Sequence, residues 1–133
     1  MHINELKNLL EDIENSYLPR VLNGYITCAL WSSHDDDGNP LDETYSEQDI
    51  APKTRWAMMA DCKQFVDEAG SLLDGLDPEQ VGHDLFLTRQ GHGAGFWDRE
   101  YNSNIPDLGK KLTVIANDFP VVDLMVYNGK IYQ

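Results

Sequence analysis

The chain has 133 residues, 41% of them apolar, and carries 23 acidic against 10 basic side chains for a formal charge of −13. A chain of this length is expected to form one domain whose core needs no disulfide or metal staple, and its charge disfavours direct binding to nucleic acid or to an anionic membrane. Nowhere do eighteen apolar residues run together and the first residues have no basic or apolar leader character, so a soluble cytoplasmic protein is expected.

In chain order, Ile3, Leu6, Leu10, Ile13 and Tyr17 recur at alternating steps of three and four, which predicts a first helix whose stripe packs on its own domain. Leu18, Leu22, Tyr25, Ile26, Ala29 and Leu30 also follow a helical period, although Gly24 and the Tyr25-Ile26-Thr27 run are compatible with a strand. From Ser32 to Asp49 the period vanishes. Seven carboxylates (Asp35, Asp36, Asp37, Asp42, Glu43, Glu47 and Asp49) appear there without a lysine or arginine, predicting a long acidic loop of functional character over about 32–50. Pro52 suits a first helical turn, and Trp56, Met59, Cys62, Val66, Ala69 and Leu73 predict a third helix as the central one.

Asp77-Pro78-Glu79-Gln80 reads as a helix start, with Asp77 as N-cap and Gln80 completing a capping box. The helix it opens carries Val81, His83, Asp84, Leu85 and Thr88 and stops near Gly91. Leu108, Leu112, Ile115, Ala116 and Phe119 predict a last short helix, and the tail over about 122–133 predicts a hairpin turning at Asn128-Gly129 in type I′ geometry. The expected fold is α+β, mostly α: a compact bundle of four to five helices with a C-terminal β-hairpin. Cys28 and Cys62 form no close pair and read as reduced, unreactive thiols.

The segment 82–99 concentrates the polar chemistry, with two of the four histidines, two of the four arginines, two aspartates and four glycines. Gly91-His92-Gly93-Ala94-Gly95 is not a nucleotide loop. Phe96 stands where a dinucleotide fingerprint needs glycine, no Lys-Ser/Thr pair follows, and the run comes after a helix instead of a strand. Asp35-Asp36-Asp37-Gly38 suggests a calcium loop, but Ser33, Leu41 and Thr44 occupy positions where ligands belong. One arrangement of 82–99 is a buried knot in which Asp84 or Asp98 pairs with Arg89 or Arg99, the histidines donate to carbonyls, and Trp97 caps the core. The other is a small metal-dependent phosphohydrolase centre using His83, Asp84, His92 and Asp98, with His34 and Asp118 or Asp123 as further ligands and Arg89 or Arg99 holding a phosphate ester.

Tyr25-Ile26, Ala29-Leu30-Trp31-Ser32-Ser33, Asp35-Asp36-Asp37-Gly38, Pro40-Leu41-Asp42 and Gly82-His83-Asp84 through Asp98-Arg99 together resemble small acidic proteins of bacteriophages and mobile elements. The likeness covers about residues 17–132, with Gln90 standing where Asn is expected. It implies a phage-like origin and a bacterial host cytoplasm, and it transfers no activity.

The expected function is that of a non-catalytic accessory protein that inhibits host defence or a host enzyme by docking on a basic host protein surface. Its binding residues are Asp35, Asp36, Asp37, Asp42, Arg89, His92 and Arg99, Trp97 and Asp98 are structural, and no cofactor or metal is involved. At one net charge per ten residues the chain is far sparser than duplex DNA, so a local acidic plug fits better than mimicry along its whole length.

Overall fold

The computed structural model describes residues 3–14, 16–91, 95–101 and 103–133, with the side chains of 9–14 outside the description. Among the described residues are five α-helices, four short 3-10 turns and one two-stranded antiparallel sheet, an α+β fold that is mostly α. The helices are α1 (Ile3–Glu14), α2 (Tyr17–Ser32), α3 (Pro52–Ala69), α4 (Pro78–Arg89) and α5 (Leu108–Ala116). The strands are β1 (Met125–Tyr127) and β2 (Lys130–Tyr132).

The closest helix pair is α2 with α4, and glycine makes it possible. A Cβ on Gly24 would stand 1.9 Å from the Glu79 carbonyl oxygen, and one on Gly82 would stand 1.8 Å from that of Val21. Two helices can approach this closely only where neither presents a side chain. Gly24, which locally argues against helix, is therefore required by packing within one. Around the crossing, Tyr25 meets Phe86 edge to face at 5.2 Å, and Phe65 of α3 stacks on Phe96 at 5.3 Å.

Nine of the twelve residues of α4 are buried, so α4 and not α3 is the central helix. Its start follows the sequence reading: the Asp77 side chain accepts from the Gln80 backbone N–H at 3.0 Å. The Gln80 side chain, expected to reach back to the cap, donates instead to Asp84 at 3.0 Å. In α3 the buried face runs through Thr54, Met58, Cys62, Phe65 and Ala69, which turns Trp56 outward to 76% exposure. Of the predicted stripe, Cys62, Ala69 and Leu73 are buried and Met59 and Val66 pack against the core, so the departure is at Trp56. α1 also departs from expectation. Ile3 and Leu6 are exposed, so its apolar stripe is not covered there, while Leu10 and Ile13 have side chains outside the description.

The acidic segment is more ordered than a loop without periodicity implies. His34 pairs with Pro40 in an isolated bridge, and 3-10 turns occupy Leu41–Glu43 and Glu47–Asp49. Leu41 and Ile50 anchor it in the core. Ile50 in turn bridges Ile131 of β2, and the Ala51 N–H donates to the Ile131 carbonyl at 2.9 Å, fastening the hairpin to the start of α3. Asn128 and Gly129 make its turn at φ 49° and 77°, the left-handed pair that a type I′ turn requires. No helix among the described residues is long and apolar enough to cross a membrane.

Candidate functional site

The polar residues of 82–99 divide into two ionic centres at different depths. The first surrounds Arg89 at the C-terminal end of α4. Its Nη1 donates to Asp61 Oδ2 at 2.7 Å and to the Tyr25 hydroxyl at 3.0 Å, its Nε donates to the Pro120 carbonyl at 2.9 Å, and its guanidinium lies 5.3 Å from the Phe119 ring. The side chain of Arg89 is 2% exposed and that of Asp61 is 28% exposed. One cation thus ties α2, α3, α4 and the segment after α5. Arg89, expected to contact a partner or an anion, is instead an internal fastener whose guanidinium is occupied by protein groups. The Tyr25 hydroxyl, shut away from water, is held above the usual phenol range mainly by burial, with Arg89 opposing.

The second centre surrounds Asp84, which is 1% exposed. Arg99 clamps it through Nε at 3.2 and 3.0 Å to the two oxygens and through Nη2 at 2.9 Å, and Gln80 adds its amide. Hydrogen bonding to Asp84 raises the Arg99 pKa above its ordinary value. Arg99 itself is 40% exposed and lines a cleft of about 230 Å3 with Asp77, Asp84, Phe96, Glu100 and Tyr101. Because three carboxylates face that cleft and the guanidinium is already clamped by one, the place suits an anionic substrate poorly. Burial pushes the Tyr101 phenol up to about 12, and among the described residues its hydroxyl has no hydrogen-bond partner.

His83 stands at the edge of this centre. Its ring stacks on Trp31 at 6.1 Å, and Nδ1 lies 3.6 Å from Asp84 Oδ1, beyond hydrogen-bond length, and has no hydrogen-bond partner among the described residues. Trp97 and Asp98 are corrections to the expected knot. Trp97 is more than half exposed and Asp98 is exposed, because Phe96 takes the inward place of the 3-10 turn and stacks on Phe65. Of the pairings the knot allowed, Asp84 with Arg99 forms, while the partner of Arg89 is Asp61. His92, with Gly93 and Ala94, lies outside the described residues.

His34, Asp118 and Asp123 are exposed, and among the described residues no three His, Cys, Asp or Glu side chains are gathered to hold a metal ion. Cys28 and Cys62 are buried and unpaired, and burial pushes their thiols up to about 11 and about 12, far from the thiolate that a nucleophile needs.

The acidic loop has a defined scaffold. Asp35 is half-buried, and its Oδ1 accepts from the backbone N–H groups of Asp37 and Asn39 at 2.9 Å each, while the Asp35 and Asn39 backbones also pair. Asp35 therefore builds the turn, whereas Asp36, Asp37 and Asp42 stand exposed beyond it. A cleft of about 300 Å3 separates this turn from Tyr45 and Leu124–Val126. Among the described residues none of the loop carboxylates forms an ion pair.

Sequence reasoning missed Asp61 and Tyr25. A signal existed for Asp61, which follows Met58 by three residues and precedes Phe65 by four, a carboxylate beside an apolar helix face. Comparison with protein-family models, curated proteins and solved structures gives no match.

Proposed function

We propose that the chain is a non-catalytic, phage-type accessory protein whose acidic loop docks on a basic surface of a host protein in the bacterial cytoplasm. The observation that carries this reading is the turn at Asp35, which fixes the exposed Asp36 and Asp37, with Asp42 beyond, without an ion-pair partner among the described residues. Holding like charges together costs electrostatic free energy that a fold gains nothing from, and a cationic partner relieves it. The occupied state of Arg89 and Arg99 supports the same reading, since both arginines of the polar segment already serve internal carboxylates. Host enzymes that handle nucleic acid present basic grooves and are the proposed class of target, with inhibition following from occupation of the groove.

The test compares wild type with a triple variant, Asp36→Asn, Asp37→Asn and Asp42→Asn, in affinity capture from a bacterial lysate at low and high salt. Asp35 is left intact because it builds the turn. A partner retained by wild type, released by salt and lost in the triple variant is the expected outcome. Equal retention of every bound protein by the two forms would overturn the reading, and so would the absence of any salt-sensitive partner.

A further inference from the structure

Two of the uncovered apolar features among the described residues are complementary. One is α1, where Ile3 is 81% exposed and Leu6 lies on the same face one turn on. The sequence continues that stripe with Leu10 and Ile13. A helix of twelve residues is marginal on its own in water and draws its stability from a surface that takes its apolar face. The other is a groove of about 290 Å3 between α2 and α3, lined by Leu22, Pro52, Arg55, Trp56 and Met59. Its wall is Trp56, the most exposed of the three tryptophans.

Their charges match. The stretch Ile3–Glu14 holds Glu5, Glu11, Asp12 and Glu14 against Lys7. The groove carries Arg55, with Lys53 one turn from Trp56 on α3, and among the described residues neither cation forms an ion pair. In a chain with 23 acids, two cations left unpaired beside an exposed tryptophan mark a surface suited to an acidic amphipathic helix. The chain contains such a helix.

We propose that α1 of one copy lies in the Leu22–Trp56–Met59 groove of a second copy, so that two copies exchange helices in a two-fold pair. With α1 folded, its own groove stays open, and a pair of copies offers two helices for two grooves. The contact is separate from the acidic loop and stands whether or not that loop has a host partner.

Sedimentation equilibrium over a wide concentration range tests this with three proteins. Wild type should pass from monomer to dimer. Trp56→Ser removes the groove wall, and the double variant Ile3→Ser, Leu6→Ser removes the helix face; all three positions are exposed, so both variants should melt as wild type does. Each alone should weaken self-association by about tenfold or more, the scale of losing a central aromatic or aliphatic anchor. Mixing the two variants restores one complete seat, an intact helix from the Trp56 variant in the intact groove of the other, and should recover part of the dimer.

A wild type that stays monomeric throughout overturns the proposal, as does either variant dimerising like wild type. A dimer that is lost in both variants and not recovered on mixing overturns the helix-to-groove exchange. A monomer in which the Ile3/Leu6 variant shifts Trp56 fluorescence identifies the occupant as the chain's own α1, and a wild type that dimerises only with an added acidic helical peptide identifies a foreign one; both outcomes also overturn it.

Discussion

The Asp61–Arg89 and Asp84–Arg99 centres are alike in chemistry and opposite in burial. In the first the cation is inside and the carboxylate stands at the edge, with side chains 2% and 28% exposed. In the second the carboxylate is inside at 1% and the cation stands at the edge at 40%. The difference matters when a pair is broken, because a guanidinium cannot shed its proton in a protein whereas a carboxylate can take one up. The first centre has no chemical escape from a lost partner. In the second, the buried carboxylate keeps a hydrogen-bond donor in Gln80 when its cation is lost.

The largest effect should therefore come from Asp61→Ala. It strands Arg89 with only the Tyr25 hydroxyl, the Pro120 carbonyl and the Phe119 ring around a full positive charge. Breaking a buried pair in this way costs about 3–5 kcal/mol, a large part of the stability of a small domain. Urea melts should show that loss, and one no larger than the loss from Arg99→Ala would show that the burial contrast does not govern the two centres.

Arg99→Ala should cost less, about 2 kcal/mol, since Asp84 keeps the hydrogen bond donated by Gln80.

How much of this was legible in the sequence depended on the range of the interaction. The Asp77 cap and the Asn128-Gly129 turn are decided within four residues, and both were read correctly. The Arg89 pairing spans 28 residues to Asp61 and 64 to Tyr25, and no period or motif encodes such a meeting. The expected knot left Asp84 and Asp98 open as partners of Arg89 or Arg99, and the pair that forms is Asp84 with Arg99. A bidentate grip needs the carboxylate opposite the fork, which adjacent residues on a 3-10 turn do not provide. Along α3 and the turn after it the expected stripe holds except at Trp56, which counts as apolar in any pattern while its size lets it line a surface groove.

Each centre has a thiol beside it that can report on it from the alkaline side. Cys62 is pushed up to about 12 by burial and then by Asp61, and Cys28 to about 11 by burial with Asp84 adding to it. A thiol that ionises later in the folded than in the unfolded chain contributes stability below the unfolded value of about 8.5, and loses it as pH rises toward the folded value. Stability should fall between about pH 9 and about pH 11, and Cys62→Ala should flatten that fall more than Cys28→Ala because its shift is larger. Native protein should resist thiol alkylation until it unfolds, and rapid labelling of Cys62 would place the first centre nearer solvent than the structure does.

The smallest effect is expected at Asp98, and its smallness is informative because Arg99 is its neighbour. Asp98 touches the second centre only through a weak attraction to Arg99, whose guanidinium is already fixed by three hydrogen bonds to Asp84. An exposed charge acting across solvent on a clamped one contributes little, so Asp98→Ala should change stability by no more than about 0.5 kcal/mol. Trp97, also exposed in the same turn, should tolerate Trp97→Ser in the same way. Loss of stability should thus switch on between residues 98 and 99, following burial and hydrogen bonding instead of position in a charged motif. Paired melts of Asp98→Ala and Arg99→Ala check this directly. Equal losses at both positions would mean that Asp98 braces Arg99, and the second centre would then be a triad whose third member carries as much of the fold as its buried carboxylate.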